Sequence, residues 1–359
     1  MAKDELTHRE RVRLALAHET TDRVPISLIC SGVHQPTFGE LDALLQREKG
    51  VGIADYFRAV LDVDGVLPHY VGPPLVHGTD LWGVKRKTVD FGLGAYHDEI
   101  DEHPLGGASS IDELMAHPWP TTDWFDYSVI SEGIKRRKTV ADKCLISGWG
   151  SIFEASWYMR GFEQTLMDLV IDPELIQFIF EKVTDFQVAH HEKILQAGDG
   201  EIDLIFTADD LGTQRSLVMS RETWEQNIKP HHRRLNDVIH RYGATSIYHS
   251  DGAIMDVVPG LLDMGIDVLQ ALQFDAERMD ANVLKEQYGD RLCFEGGISV
   301  QKTLPFGTPE EVRQETLDRI RVLGRGGGYI LGPSHAIQAG TPAENVLTMF
   351  ETALEARPT

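Results

Sequence analysis

Eight short apolar segments that alternate with helical patterns predict an α/β fold of the (β/α)8 TIM-barrel type. The segments are centred near Ile26, Val66, Leu145, Ile205, Ile247, Leu269, Cys293 and Ile330. Strands that alternate with helices pair in parallel through right-handed crossovers, and eight such units most simply close into a barrel. A doubly wound open sheet is the alternative, although no Gly-x-Gly-x-x-Gly follows the first segment to support its nucleotide-binding form.

The N-terminal part of the chain is less regular than the rest. Thr7 and Glu10 form a capping-box pattern that predicts a helix over 7–18, and an apolar run at 24–30 follows a polar turn. A helix is expected within 31–49, and a weaker strand at 63–69. Residues 81–104 alternate in places and predict a hairpin outside the main repeat. A short helix over 109–117 ends at the two prolines of 118–120.

From residue 143 onward, predicted strands and helices follow one another regularly. The strands are 143–147, 204–208, 246–249, 268–272, 292–295 and 329–331. The helices are 163–169, 172–196, one or two within 221–242, 253–264, 281–288, 309–323 and 342–355. No internal repeat or low-complexity linker marks a boundary, so we expect one domain over 1–359.

Composition narrows the classes of partner and compartment. The chain carries 34 Lys and Arg against 56 Asp and Glu, a net charge of −22, which repels phosphate backbones and anionic lipid. We therefore expect a small-molecule substrate, and neither nucleic acid nor a membrane surface. Three distant cysteines without Cys-x-x-Cys, and a charged N-terminal helix instead of a signal peptide, indicate a reducing cytoplasm. No apolar run approaches about 18 residues, so no transmembrane span is expected.

Polar side chains follow the predicted strands, where a barrel places its chemistry. The candidates are Asp209, Asp210, Gln214, His249, Asp251, Gln270, Gln273, Glu295, Ser334 and His335. His249, Asp251 and His335 form the sharpest set, because two imidazoles and a carboxylate can hold zinc or another divalent ion with an open coordination position. The alternative is a metal-free pocket, in which Asp251 orients His249 while His335 acts as an acid, a base or an anion binder.

Two further features have competing interpretations. Arg160 lies among aromatic residues and could bind a substrate carboxylate, or form a surface ion pair. His231 and His232 precede two arginines on a predicted helix, and we expect them on a solvated face.

Seven stretches of the chain match the pattern of a known family. They are RERVRLALAHETTDRVPI at 9–26, TDLWGV at 79–84, FEASWYMRGFEQTLMDLVIDPE at 153–174, DLIFTADDLGTQ at 203–214, YHSDG at 248–252, YGDRLCFEGGISVQKTLPFGTPEEV at 288–312 and GGGYILGPSHAIQAGTPAENVLTMFE at 326–351. On these stretches the chain resembles the uroporphyrinogen decarboxylase superfamily, and more closely its methyltransferase-like branch. The resemblance implies a distorted (β/α)8 barrel and, because relatives commonly form two-fold dimers, a homodimer.

Two chemistries are known in this superfamily. Its decarboxylases remove acetate carboxyls from a tetrapyrrole without a cofactor, and hold the substrate with an arginine-rich segment after the first strand. The corresponding segment here, 27–45, contains no arginine, although His335 matches the family histidine near the C-terminus. The corrinoid-linked methyltransferases instead carry His-x-Cys-Gly after the fifth strand and a further Cys after the eighth, which hold zinc.

This chain has His249-Ser250-Asp251-Gly252 and His335 at those methyltransferase positions, so both cysteines are replaced and the site becomes richer in oxygen ligands. The resemblance implies a methyltransferase that works with a separate corrinoid protein, with His249, Asp251 and His335 as metal ligands or acid–base groups. The expected substrate-binding residues are Asp209, Asp210, Gln214, Gln273, Glu295 and Arg160. The alternatives are a cofactor-free decarboxylase of a carboxylate-rich molecule and a non-catalytic protein that binds a corrinoid or tetrapyrrole.

Overall fold

A curved sheet of seven parallel strands forms the centre of the fold in the computed structural model, which describes residues 6–357 except 31, 77 and 93. The strands are β1 (Val63–Gly65), β2 (His69–Tyr70), β3 (Lys85–Gly92), β4 (Ala95–Glu102), β5 (Phe125–Asp126), β6 (Cys144–Ser151), β7 (Leu204–Ala208), β8 (Thr245–His249), β9 (Val268–Ala271), β10 (Cys293–Ile298) and β11 (Tyr329–Pro333). The large sheet has the order β1-β6-β7-β8-β9-β10-β11, and each neighbouring pair in it is parallel.

The helices pack around this sheet. They are α1 (His8–Leu16), α2 (Thr37–Lys49), α3 (Ile53–Val60), α4 (Ile111–Met115), α5 (Ser128–Lys138), α6 (Phe153–Arg160), α7 (Phe162–Ile171), α8 (Pro173–Gly198), α9 (Arg221–Asn227), α10 (Lys229–Arg241), α11 (Val258–Met264), α12 (Ala281–Tyr288), α13 (Thr303–Phe306), α14 (Pro309–Leu323) and α15 (Ala343–Glu355). Short 3₁₀ helices cover Thr122–Trp124 and Met255–Val257. No helix in the described part of the chain is long and apolar enough to cross a membrane.

An irregular segment at residues 25–27 takes the place of the eighth strand. On one side, the Ser27 N–H donates to the carbonyl of Leu331 at 2.9 Å, and the Leu331 N–H donates to the carbonyl of Pro25 at 2.8 Å. On the other side, the Asp62 N–H donates to the carbonyl of Ile26 at 2.8 Å. Because proline has no N–H, this segment cannot form a regular ladder. The predicted (β/α)8 barrel is confirmed in a distorted form, with seven regular strands and this segment between β11 and β1.

Most of the regular C-terminal pattern is confirmed, including β7, α12 and α14 at the predicted boundaries. The capping box of Thr7 and Glu10 and the β3–β4 hairpin are also present. Two predictions need correction. The strand expected at 63–69 is two short strands, and the second of them, β2, pairs with β5 outside the barrel. The helix expected at 253–264 begins as 3₁₀ turns. Helices α3, α5, α6 and α13 were not predicted.

Candidate active site

The C-terminal ends of the barrel strands bring the predicted acidic and histidine side chains to one rim. Nε2 of His249, at the end of β8, lies 3.4 Å from Oδ1 of Asp210, which follows β7. Nε2 of His335, just after β11, lies 3.9 Å from Oδ2 of Asp251. The rings of the two histidines have centroids 5.7 Å apart. The predicted grouping of these four side chains therefore exists in the folded chain.

His249 is held in one orientation from both sides. Its Nδ1 forms a hydrogen bond with Oε1 of Gln270 on β9, and because an amide oxygen can only accept, Nδ1 donates. Its Nε2 therefore faces Asp210, whose Oδ1 also accepts the backbone N–H of Asp251 at 3.0 Å. Burial opposes a charged imidazole, but the bond to Asp210 and the charge of Asp251 outweigh it and raise the pKa of His249 to about 9.

In two neighbouring groups, burial favours the uncharged form. Burial raises the pKa of Asp251 to about 6, and its Oδ1 is buried without a hydrogen-bond partner among the described residues. Burial and the charge of His249 lower the pKa of His335 to about 4. At neutral pH the rim thus pairs one charged and one neutral imidazole beside an under-coordinated carboxylate, an arrangement that suits an additional cation.

A cysteine that the sequence analysis did not select joins this rim. The possible ligand atoms of Cys30, His249 and His335 all lie within 4.8 Å of one another, and so do those of Asp210, His249 and Asp251. The predicted trio is therefore divided between two overlapping sets that share His249. Thiolate and imidazole are both zinc ligand types, and three such ligands leave an open position, whereas the second set is richer in oxygen.

Glu154, in the first turn of α6, is a second residue that the sequence analysis missed. It is buried, and the Tyr158 hydroxyl donates to its Oε1 at 2.7 Å. Burial and the negative charge of Asp210 raise the pKa of Glu154 to about 8, so it carries a proton at neutral pH. Glu154 lies three residues after the end of β6 at Ser151, but the strand was predicted to end at 147, so the sequence pattern did not place Glu154 at a strand end.

Glu295 lies deeper in the barrel than the other acidic groups. It is 1% exposed in the middle of β10, and its Oε1 accepts a hydrogen bond from the Ser27 hydroxyl. Burial raises the pKa of Glu295 to about 7. The irregular segment that closes the barrel thus contacts the floor of the candidate site.

Asp209 was expected to bind substrate, but the structure gives it a positioning role. It is completely buried and accepts the backbone N–H groups of Ile152, Phe153 and Glu154 at 2.8–3.1 Å. A carboxylate at the N-terminus of a helix satisfies the unpaired N–H groups of its first turn. Asp209 therefore fixes the start of α6 and with it the position of Glu154.

The expectation that His231 and His232 lie on a solvated face is wrong. Both are buried, and Nε2 of His232 lies 2.5 Å from Oδ2 of Asp209. Arg233 and Arg234, which follow these histidines, do lie on the outer surface. The run of basic residues therefore indicated only the exposed side of α10. His232 supports the same carboxylate that begins α6.

Arg160 also differs from its expected role. It is 5% exposed, its Nε donates to Asp168 at 2.7 Å, and its Nη1 donates to the carbonyls of Leu105 and Ala108 at 2.7 Å. These internal bonds direct the guanidinium to the protein rather than to a substrate. Arg160 instead anchors the end of α6 to the loop at 105–108.

The two predicted glutamines occupy different environments. Gln273 is buried, and its Oε1 accepts the backbone N–H of Gly252 at 2.8 Å, which fixes the loop that carries Asp251. Gln214 is exposed on the loop after β7, where its carbonyl accepts the N–H of Glu277 at 2.9 Å. Of the two, Gln273 is the one built into the rim.

Comparisons with known proteins bear on the fold and on the family. The sequence profile of the uroporphyrinogen decarboxylase (URO-D) family matches residues 99–356. A protein of Anaeromyxobacter sp. (strain Fw109-5) named uroporphyrinogen decarboxylase is 25% identical over 260 residues, 69% of this chain and 68% of that protein. One of that name from Pseudoalteromonas translucida is 22% identical over 270 residues, 71% of each chain. A solved structure, a methyltransferase from Methanosarcina mazei, has a TM-score of 0.68 at 20% identity over 98% of this chain and 99% of that one. The profile match spans more than two thirds of the sequence, and the chain belongs to the uroporphyrinogen decarboxylase family.

Proposed function

We propose that this protein is a methyltransferase that moves a methyl group between a small-molecule substrate and a corrinoid protein, with the help of a divalent ion. The observation that carries the proposal is the convergence of Cys30, His249 and His335 at the active-site rim, with their possible ligand atoms within 4.8 Å. A thiolate here offers the sulfur ligand that the family methyltransferases take from elsewhere in the barrel. The chain shares its fold with a methyltransferase structure, and this similarity supports the proposal.

The residues present fit zinc better than a harder ion. Cys30, His249 and His335 would hold it, and the Gln270 oxygen on Nδ1 of His249 leaves Nε2 to face the ion, as metal-bound histidines usually require. The buried Oδ1 of Asp251 offers an additional oxygen ligand or counter-charge. When bound, zinc lowers the pKa of a coordinated thiol or polarises an oxygen of the substrate.

Glu154 supplies a proton to this site. Removal of a methyl group from an oxygen or nitrogen leaves that atom with an electron pair that must be protonated. Glu154 holds a proton at neutral pH, interacts electrostatically with Asp210 and His249, and is oriented by Tyr158. A protonated carboxyl in this position can act as the general acid for the departing atom.

The electrostatics of the rim disfavour a polycarboxylate substrate. Asp210 and Asp251 are the carboxylates of the rim that are ionised at neutral pH, and the segment at 27–45 has no arginine to offset them. Negative groups at close range repel substrate carboxylates in a site of low dielectric. Decarboxylation is the second candidate function, favoured by the names of the curated relatives and by the position of His335.

Absorbance spectroscopy and metal analysis test the proposal together. Protein purified without added metal should contain zinc, and it should change the spectrum of methylcobalamin when a small thiol is present as methyl acceptor. The variant His249→Ala should lose both properties, whereas His240→Ala, on the outer end of α10, should keep them. Decarboxylation of uroporphyrinogen without a methylcobalamin reaction would instead support the second function. Binding of methylcobalamin without any reaction would support a non-catalytic binding protein.

A further inference from the structure

A second cavity lies at the opposite end of the barrel from the candidate active site. It has a volume of about 400 Å³, within the range of small-ligand sites. Val63 and Asp64 line it where β1 begins, and Lys143 lines it just before β6 begins. It therefore opens at the N-terminal ends of the strands, whereas His249 and Asp210 lie at the C-terminal ends.

The charge of this cavity is opposite to that of the whole chain. Four cationic side chains line it: Arg58, Arg136, Arg137 and Lys143. Among the described lining residues one carboxylate is present, that of Asp64, whose Oδ2 lies 3.2 Å from Nε of Arg137. Arg58 also has an ion-pair partner outside the cavity lining, Asp55 at 2.5 Å, so among the described residues Arg136 and Lys143 are the two lining cations without an ion pair, in a protein with a net charge of −22. Such a concavity attracts anions.

Lys143 distinguishes this cavity from an ordinary basic surface. Lys143 is only 7% exposed, and its Nζ makes one hydrogen bond, to the carbonyl of Phe57 at 3.3 Å. Within the described chain this ammonium group, which carries three N–H donors, forms no ion pair, and Asp64 and Asp62 act on it only at longer range. Burial lowers the pKa of Lys143, which Asp64 partly opposes. A buried cation with so few partners is costly unless an anion accompanies it.

We propose that this cavity binds a small organic dianion, of the phosphate monoester or dicarboxylate class, between Lys143, Arg136 and Arg137. The apolar walls suit the non-ionic part of such a molecule; they are Ala54, Phe57, Leu61, Val63, Val140 and Ala141. The N-terminal end of a barrel is not where its reactions occur, so the ligand would act on stability and not on chemistry. A ligand that binds only the native state raises the unfolding temperature in a saturable way.

Thermal unfolding with two simple probes tests this site. Inorganic phosphate and succinate are titrated separately against potassium chloride of equal ionic strength. The unfolding temperature should rise and saturate with at least one probe. The variant Lys143→Met should weaken the binding of that probe by about tenfold or more, because it removes the least accessible of the cations. Lys135→Met removes an exposed cation from α5, the helix that carries Arg136 and Arg137, but Lys135 lies outside the cavity, so this variant should bind like the wild type.

The design separates specific binding from general salt effects. Phosphate also stabilises proteins by exclusion from their surface, but that effect does not saturate and is the same in every variant. Saturation by phosphate alone assigns the phosphate class, and saturation by succinate alone assigns the dicarboxylate class. Equal shifts in the wild type and Lys143→Met, or no saturable shift with either probe, would overturn the proposal. If Lys143→Met does not fold, the exposed Arg136→Gln provides the same comparison.

Discussion

At the scale of single residues, the acid–base groups of the rim depend on one another. His249 is charged because Asp210 and Asp251 outweigh its burial, and His335 is neutral partly because His249 is charged. Glu154 keeps its proton partly because Asp210 is negative. Changing one group will therefore change the protonation of the others, and a bound cation will displace protons from several of them.

The first prediction concerns the thiol ligand. Cys30→Ala should weaken zinc binding by at least about tenfold, because a thiolate is among the strongest zinc ligands in proteins. The measurement is a competition titration of the purified protein against a chromophoric chelator. Cys293→Ala is the matched control, since that buried thiol lies near His18, away from the rim, and should leave zinc binding unchanged.

The same titration distinguishes the two ligand sets. Unchanged affinity in Cys30→Ala, together with loss of affinity in Asp251→Ala, would place the ion between Asp210, His249 and Asp251 instead. Unchanged metal content in Asp251→Ala would remove Asp251 from the ligand set. In either arrangement the affinity should fall as the pH drops, because protons compete for the ligands.

The second prediction concerns Glu154. Glu154→Gln should lower turnover by about a hundredfold, because an amide keeps the shape of the carboxyl but has no transferable acidic proton. In the wild type, turnover should fall as the pH rises through about 8, where Glu154 loses its proton. Tyr158→Phe removes the hydrogen bond to Glu154 and should shift this pH limb without abolishing activity. A pH profile identical in Glu154→Gln and wild type would show that Glu154 is not the acid.

Sequence patterns could predict part of this site, for a clear physical reason. Strand ends in a parallel sheet converge, and the structure brings four of the polar residues expected there to one rim, whereas Gln214 is exposed on a loop. The side-chain direction of two adjacent residues cannot be read in the same way: Asp209 points to a helix start and Asp210 to the rim. Cys30 was missed because it ends an apolar run that continues beyond the irregular segment, and no periodicity there indicates which side chains face inward.

At the scale of secondary-structure elements, the predictable regions are those with local signals. Helix α14 begins with a capping box at Thr308 and Glu311, and α8 begins with Asp172 and Pro173, so both starts were found. Helix α6 has no side-chain cap of its own, since its N–H groups are satisfied by Asp209, more than fifty residues further along the chain. A contact of that kind exists only after folding, and therefore no local pattern indicated α6.

The third prediction concerns the acid sensitivity of α8. Burial lowers the pKa of His190 to about 3 and that of His191 to about 4, below the ordinary 6.5. As the pH falls below 6.5, the unfolded chain takes up protons that the folded chain does not, so stability is complete above 6.5 and is lost on acidification. Each histidine should contribute a loss of roughly 1–2 kcal/mol in the free energy of unfolding by about pH 5.

Urea unfolding at about pH 7 and about pH 5 measures this loss. His190→Asn can still hydrogen-bond Tyr127 but cannot be protonated, so it should lose roughly 1–2 kcal/mol less than the wild type on acidification. His240→Asn is the opposite control, because Asp267 raises the pKa of that partly exposed imidazole and the variant should lose more stability in acid. If His190→Asn shows the same pH dependence as the wild type, His190 is not a source of the acid sensitivity.

At the scale of the whole molecule, the expected homodimer stays a prediction, and an exposed apolar face of α7 offers a surface for it. Phe162, Met167, Val170 and Ile171 of α7 are 40–80% exposed, and an apolar helix face of this kind commonly marks an interaction surface. Light scattering at micromolar concentration should give twice the mass of one chain. Ile171→Lys should shift the protein towards the monomer, whereas Val140→Lys, an exposed apolar residue away from α7, should not. A monomer mass for the wild type would end this hypothesis.

Closure of the barrel depends on one buried carboxylate. Oδ2 of Asp62 accepts the backbone N–H of Ile26 at 2.8 Å and Nη1 of Arg23 at 2.7 Å, while Oδ1 accepts Nη1 of Arg11 at 2.7 Å. Burial would raise the pKa of Asp62, but the bond to His8 and the two arginines reverse this and lower it. Asp62 is the residue before β1. Its carboxylate thus bonds to the irregular segment in place of the ladder bonds that the segment lacks, and connects the segment to β1.

The last prediction follows from this arrangement. Asp62→Asn keeps the shape but leaves two buried guanidinium groups with less negative charge, so the free energy of unfolding should fall by about 3–5 kcal/mol. Asp64→Asn, two residues away in a half-exposed ion pair with Arg137, should cost less than about 1 kcal/mol. Urea unfolding of both variants measures the difference. Because Ser27 of the irregular segment also bonds Glu295 in the candidate site, Asp62→Asn should lower turnover even under conditions where it remains folded. Equal stability losses in the two variants would mean that the eighth position of the barrel is held by its backbone bonds alone.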